Sequence, residues 1–241
     1  MTDVRGKIAL ITGASGGIGM ALAVKLAQLG MDLVLCGRSE EKLEKTRAAV
    51  EACGVRTCLF TGDLTADGVP AACIDAAVQA FGGLDVLINN AGMALNCDFE
   101  KTSAEQFDRI MATNVRAPYF LCQAALPVLR GSGHATIINV ASVVAHKGYP
   151  QQSAYAASKH ALLGLSKSLA NEVYQDGIRV HVIAPGAVFT DMVRISRPDL
   201  TKEGMILPED IAEVAAFFIT HRTNAVIDEI EVHRAGKAPF A

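Results

Sequence analysis

Seven short apolar runs, at residues 7–11, 32–36, 56–60, 86–89, 136–140, 179–183 and 229–232, punctuate this chain at intervals filled by segments of helix length. Most of the runs are apolar almost throughout, as in Ile8-Ala9-Leu10-Ile11, instead of alternating apolar with polar. A strand that shows one face to water must alternate, so continuous runs predict parallel strands covered on both faces. The segments between them, at 18–29, 40–52, 70–81, 104–112, 117–129, 154–174 and 209–220, are amphipathic with a helical period. Local punctuation agrees. Ser103 and Gln106 have capping-box spacing, Gly30 follows the first helix as a C-cap, and Pro208 stands where the last helix begins. Strand–helix–strand repeats with short connections predict an α/β fold, a doubly wound seven-stranded parallel sheet flanked by helices.

With 241 residues, 51% of them hydrophobic, the chain has material for one large buried core. No linker, repeat or low-complexity tract divides it, so residues 1–241 read as one domain. The longest stretch without a clear element, 187–207, follows a strand and reads as a flap over a site. A net charge of −3 gives no electrostatic reason to expect nucleic acid or an anionic membrane as partner. The N-terminus has no secretory apolar region and no run is long enough to span a bilayer. Six cysteines, at 36, 53, 58, 73, 97 and 122, are scattered without a CxxC pair, and Cys53 and Cys58 have no His nearby to suggest zinc. They read as small buried hydrophobes in a reducing compartment, and a cytoplasmic location is expected with no metal.

Thr12-Gly13-Ala14-Ser15-Gly16-Gly17-Ile18-Gly19 closes the first strand and opens the first helix. Glycines there let the backbone turn tightly and approach a pyrophosphate, whose charge a helix N-terminus favours. A tight turn alone would also explain a glycine cluster, and the spacing is not the commoner G-x-G-x-x-G. Placement in the first βα unit is what points to a dinucleotide site of the Rossmann type. Such a site usually carries an acid at the end of the second strand when it binds the 2′-OH of NAD. Here the strand ends Leu35-Cys36-Gly37-Arg38-Ser39, with an arginine and no acid. A guanidinium cannot accept a hydrogen bond but can clamp a 2′-phosphate. NADP(H) is therefore expected over NAD(H), the bland alternative being that Arg38 is a solvated residue before a helix.

Tyr155-Ala156-Ala157-Ser158-Lys159 lies in the sixth helical segment, where positions i and i+4 share a face. A cation beside the phenol would draw its pKa down from about 10. A phenol so tuned can give a proton to a carbonyl or take one from an alcohol. The pair alone is roughly a one-in-six coincidence, so it needs company. Ser142 ends the fifth strand on the carboxyl edge, where ligands bind in open α/β sheets, and its hydroxyl could polarise the same carbonyl. Asn114 falls near a helix start, where a cap is the ordinary explanation.

In chain order, TGASGGIG at 12–19, Asp63-Leu64, Asn89-Asn90-Ala91-Gly92, Asn114, Ser142, Tyr155-x3-Lys159, Pro185-Gly186 and Thr190 resemble the classical short-chain dehydrogenases/reductases over the whole chain. The resemblance implies an oxidoreductase that interconverts a carbonyl and a secondary alcohol by hydride transfer. It makes Tyr155 the general acid/base and gives Lys159 the nicotinamide ribose and the lowering of the phenol pKa. Ser142 would orient the reacting oxygen, and Asn114 would hold a water linking Lys159 to solvent. It implies cofactor contacts from Gly13, Ser15, Gly17, Ile18 and Gly19, with Arg38 at the 2′-phosphate and Asp63 and Leu64 at the adenine. Asn90 would lie near the ribose, alongside Tyr155 and Lys159, and Pro185, Gly186, Val188 and Thr190 near the nicotinamide. A flap carrying Met192 and Val193 would close over a small-molecule substrate, and the assembly would be a homo-oligomer, tetramer or dimer.

Two departures stand out. The glycine turn carries Gly16 where many NADP-preferring members have Arg or Lys, and the last strand runs on as Ile230-Glu231-Val232-His233-Arg234-Ala235-Gly236-Lys237 instead of into a Gly-Gly turn. That ending resembles the branch acting on small hydroxy acids and amino-alcohol acids. The 3-oxoacyl carrier-protein reductases are an alternative, but Arg130 alone is a weak docking surface and Asp176 stands where a cation would be sought. A dinucleotide-binding sensor is the non-enzymatic alternative. Leu95, Val144, Tyr149 and Gln152 are expected as pocket walls by position only, and His146 and His160 as surface or packing residues.

Overall fold

The computed structural model describes residues 1–191, 193 and 201–237. Strands β1 (Ile8–Thr12), β2 (Asp32–Gly37), β3 (Thr57–Thr61), β4 (Val86–Asn89), β5 (Thr136–Val140), β6 (Arg179–Pro185) and β7 (Glu229–Val232) form one sheet. Their order is β3-β2-β1-β4-β5-β6-β7, with every pairing parallel. The helices are α1 (Gly17–Gln28), α2 (Glu40–Glu51), α3 (Val69–Phe81), α4 (Ala104–Met111), α5 (Ala117–Leu129), α6 (Ser153–Val173) and α7 (Pro208–Thr220). This is the doubly wound arrangement expected from the sequence, with each element within two residues of its expected bounds.

The continuous apolar runs separate into two interleaved faces. Ala9, Ile11, Leu33, Leu35, Val86, Ile88 and Ile138 pack under α1, α2 and α7, through side chains such as Leu22, Leu26, Leu43, Ile211 and Phe218. Leu10, Val34, Leu87 and Ile137 point the other way, toward Ile74, Leu121, Leu129 and Val173 of α3, α5 and α6. Both faces are covered, so the period-2 alternation survives in space while vanishing from the sequence. The order in which strands are added to the sheet reverses between β1 and β4, which lie side by side and parallel although β2 and β3 come between them in sequence. In such a sheet the connections leaving the two strands diverge, and a crevice opens at their carboxyl ends.

The expected caps are present. Ser103 Oγ accepts from Gln106 N at 3.2 Å while Gln106 Oε1 accepts from Ser103 N at 3.0 Å, and Pro208 opens α7. Two expectations change. Asn114 caps nothing, because α4 runs into α5 through one wide π-helical turn, Ala112–Arg116. Only Cys36, Cys73 and Cys122 are buried; Cys53 is exposed, and Cys58 and Cys97 are partly so. In the 187–207 stretch, Val188 pairs with Ile206 and Phe189 N donates to Ile206 O at 2.8 Å, so its two flanks are tied together. Met192 and residues 194–200 of the expected flap lie outside the described residues. Among the described residues no helix is long and apolar enough to cross a membrane.

Candidate active site

The crevice is built from the ends of β1 and β4 upward. Thr12 Oγ1 accepts from the backbone N–H of both Asn90 (3.0 Å) and Ala91 (2.9 Å) and donates to Ile88 O at 3.3 Å. Asn90 Nδ2 in turn donates to Thr12 O at 2.9 Å and Gly13 O at 3.3 Å, so its amide braces the glycine turn. Gly13 sits at φ +64°, and a Cβ there would come within 3.0 Å of both Ala91 Cα and Asn90 Nδ2. Gly19 leaves no room at all: a Cβ would fall 2.0 Å from Gly13 O, so the first helix can pack on the strand only through a bare backbone. The N-terminus of α1 has no side-chain cap and no acid in its first turn. Its N–H groups face the crevice without a built-in acceptor, which suits the pyrophosphate of a dinucleotide.

One cavity of about 550 Å³ runs along the carboxyl edge from Arg38 to Tyr155. Of the expected site residues it is lined by Gly13, Ser15, Gly17, Ile18, Arg38, Asp63, Leu64, Asn90, Ser142, Tyr155, Lys159, Pro185, Gly186, Val188 and Thr190. Gly19 and Asn114 stand behind the wall. Leu95, Val144, Tyr149 and Gln152 are not in it either: Val144 turns into the core, and Gln152 Nε2 donates to Asn96 Oδ1 at 3.2 Å.

At one end, α6 delivers Tyr155 and Lys159 from consecutive turns. Lys159 is buried, and its Nζ donates to Val140 O at 2.9 Å while lying 5.9 Å from the centre of the Tyr155 ring. Burial pushes the lysine down to about 8. Burial also raises the Tyr155 phenol, opposed by a hydrogen bond from Ser142. The expected lowering of the phenol by Lys159 is therefore not what dominates; desolvation is stronger. Ser142 lies just past β5, where its Oγ donates to Pro185 O at 3.2 Å and accepts from Val144 N at 3.4 Å. Asn114 clasps the β4 loop to α6: Oδ1 accepts from Met93 N at 2.9 Å, and Nδ2 donates to Met93 O at 2.9 Å and Ser158 Oγ at 3.0 Å. A Cβ on Gly92 would meet Asn114 Oδ1 at 3.3 Å and Lys159 Nζ at 3.6 Å, so these polar atoms flank one spot.

At the other end, Asp63 Oδ1 accepts from Thr65 N at 3.0 Å and Thr65 Oγ1 at 2.8 Å; these bonds, with the charges of Arg38 and Arg109, lower its pKa. Two cations that sequence reasoning missed line this end: Lys42, one helical turn beyond Arg38, and Arg109. Spacing from Arg38 could have found Lys42; nothing local marked Arg109, which reaches the cavity from α4. Neither Arg38 nor Lys42 forms an ion pair among the described residues. Ser158, bonded to both Asn114 and Tyr155 O (2.7 Å), was also missed.

A doubly wound sheet with a phenol, a buried lysine and a serine at one end of a dinucleotide-sized cleft defines a nicotinamide-dependent oxidoreductase class. Residues 7–201 match the short chain dehydrogenase family, and the chain belongs to it. It is 37% identical over 200 residues to 2-(R)-hydroxypropyl-CoM dehydrogenase of Xanthobacter autotrophicus, covering 80% of each chain. It is 33% identical to a 3-oxoacyl-(acyl-carrier-protein) reductase of Rickettsia bellii over 94% of both. Among solved structures, a short chain dehydrogenase from Mycobacterium paratuberculosis bound to NAD superposes with a TM-score of 0.86 at 28% identity, over 95% of this chain and 97% of that one. The protein is an oxidoreductase of CH–OH groups acting on small carbonyl or alcohol substrates, with a fold that takes NAD(P).

Proposed function

We propose that the enzyme is an NADP(H)-dependent carbonyl reductase/alcohol dehydrogenase in which Tyr155 moves the proton, with small keto and hydroxy acids or ketones as substrates. The observation that carries this reading is that Ser142, Tyr155 and Lys159 line one end of a cavity whose other end presents Arg38 and Lys42, neither of them in an ion pair among the described residues. The nicotinamide coenzyme, when bound, supplies or accepts the hydride. Tyr155, held protonated by its burial, hands its phenolic proton to the carbonyl oxygen in reduction. Ser142 Oγ orients that oxygen, and Lys159 has two N–H bonds beyond the one to Val140 O, enough for a ribose hydroxyl and the phenol. Asn114 would hold the water of a proton relay, a reading supported by its Oδ1 and Lys159 Nζ both flanking Gly92.

Lys42 takes the part of the cation that Gly16 cannot provide. Arg38 and Lys42 together would clamp a 2′-phosphate, with Ser15 beside them. A relative's structure contains NAD, so NADP preference is this chain's own feature to test. Arg130 is held by Asp176 at 2.8 Å, which favours a free small molecule over a carrier-borne substrate. We further propose one domain over 1–241 with its flap at about 187–207, a cytoplasmic setting, and a homo-oligomer. Exposed Phe107, Tyr119 and Phe120 on neighbouring α4 and α5 support self-association.

The test is a panel of ketones, 3-hydroxy acids and 3-oxoacyl thioesters followed at the nicotinamide absorbance with each coenzyme. Turnover of free ketones or hydroxy acids with NADP(H) is expected. A preference for carrier thioesters would move the chain to the fatty-acid reductases, and coenzyme binding without any turnover would make it a sensor.

A further inference from the structure

Beyond β7 the chain stays at the active-site edge of the sheet. Val232 is in register with Pro185, and its carbonyl accepts from Gly186 N at 2.8 Å. The next residues fold into a tight turn closed by Lys237 N donating to Arg234 O at 3.0 Å, which carries a cation at each end. Lys237 Nζ lies 5.9 Å over the ring of Tyr149, in the loop that joins Ser142 to Tyr155. Arg234 is half-buried, yet its one hydrogen bond among the described residues goes to a thioether, Met205 Sδ, at 3.8 Å. Met205 precedes Ile206, which pairs with the cavity residue Val188.

A thioether is a weak acceptor, so a half-buried guanidinium is left with its N–H fork almost unspent. The nearby acids do not serve: Glu229 is 2.5 Å from His146, and Glu231 is 3.3 Å from His233. We infer that the 234–237 turn is the anion-recognition rim of the substrate site, and that the carbonyl compound handled at Tyr155 carries a carboxylate. The planar fork of Arg234 matches a carboxylate in two parallel bonds, with Lys237 adding charge. This inference rests on the carbonyl-reductase reading of the same cavity and narrows its substrate to short oxo acids.

The test compares acetoacetate with methyl acetoacetate in the parent enzyme, Arg234→Ala, Arg234→Lys and Lys237→Ala. The acid-to-ester ratio of kcat/KM should fall roughly 10- to 100-fold in Arg234→Ala, with Lys substitution recovering part of it. A second readout does not depend on turnover: butyrate, at constant ionic strength, should perturb the fluorescence of enzyme-bound reduced coenzyme in the parent and far less in Arg234→Ala. An unchanged ratio, or equal butyrate binding in both proteins, overturns the inference. Butyrate binding through Arg234 with no turnover of either substrate would instead sink the reductase reading and keep the anion site.

Discussion

Burial acts on the two central side chains in opposite senses: it raises Tyr155 and drops Lys159 to about 8. Near neutral pH the phenol therefore stays protonated while the lysine still carries its charge. Reduction is expected to be level below about pH 7 and to fall as pH rises through the lysine's value, because the ammonium proposed to hold ribose and phenol would be lost; kcat across pH 6–10 measures it. Tyr155→Phe should bind coenzyme normally but lose turnover by about 10²-fold or more, since it removes the proposed proton donor. Near-normal activity in that variant would remove Tyr155 from the chemistry. At the far end, Arg38→Asp should shift the NADPH-to-NADH ratio of kcat/KM strongly toward NADH, and Lys42→Ala in the same direction by less. A ratio unmoved by either change would refute the phosphate clamp.

At the scale of elements, a buried polar thread fastens β4, β5 and α6 beneath the catalytic groups. Asn89 Nδ2 donates to Asn139 Oδ1 at 2.8 Å, Asn139 Nδ2 to Ser166 Oγ at 2.8 Å, and Ser166 Oγ to Leu162 O at 2.7 Å. Asn139→Ala would take the oxygen acceptor from the Asn89 amide and a donor from Ser166 Oγ in the core at a cost of about 1–3 kcal/mol, read as a lower urea midpoint. Asn139 is invisible in sequence because it interrupts a run that otherwise looks like an ordinary apolar strand. The same blindness explains Asn114, whose partners Met93 and Ser158 come from distant segments, so that local reasoning saw only a cap. What was legible had local causes: apolar runs, a capping box, glycines at the crowded turn, and Arg38 at a strand end. Lys42 shared that locality and could have been read one turn further on. Pocket walls placed by position alone, such as Tyr149 and Val144, fell outside the cavity, because where a loop side chain points is decided by what packs over it.

Across the whole molecule, two buried histidines tie the last helix to the sheet. His181 stacks on Phe218 of α7 at 4.3 Å between ring centres and bonds Ile227 O through Nδ1 at 2.7 Å. His134 Nε2 bonds Ile219 O at 2.8 Å. Burial lowers both pKa values, His181 to about 4 from an ordinary 6.5. The unfolded chain therefore takes up a proton below about 6.5 that the folded chain refuses until about 4. Stability is fully present above 6.5, drains away as pH falls through that window, and levels below it. For His181 the loss at pH 5 is on the order of 2 kcal/mol. Depressed carboxylates such as Asp98 act lower, since their folded values lie below the ordinary carboxylate range. The fall in Tm between pH 7 and pH 5 should accordingly be smaller in His181→Gln than in the parent, even though the variant starts lower at pH 7. An equal fall in both would place the acid sensitivity elsewhere than under α7, the helix that covers the sheet on the side of the glycine turn.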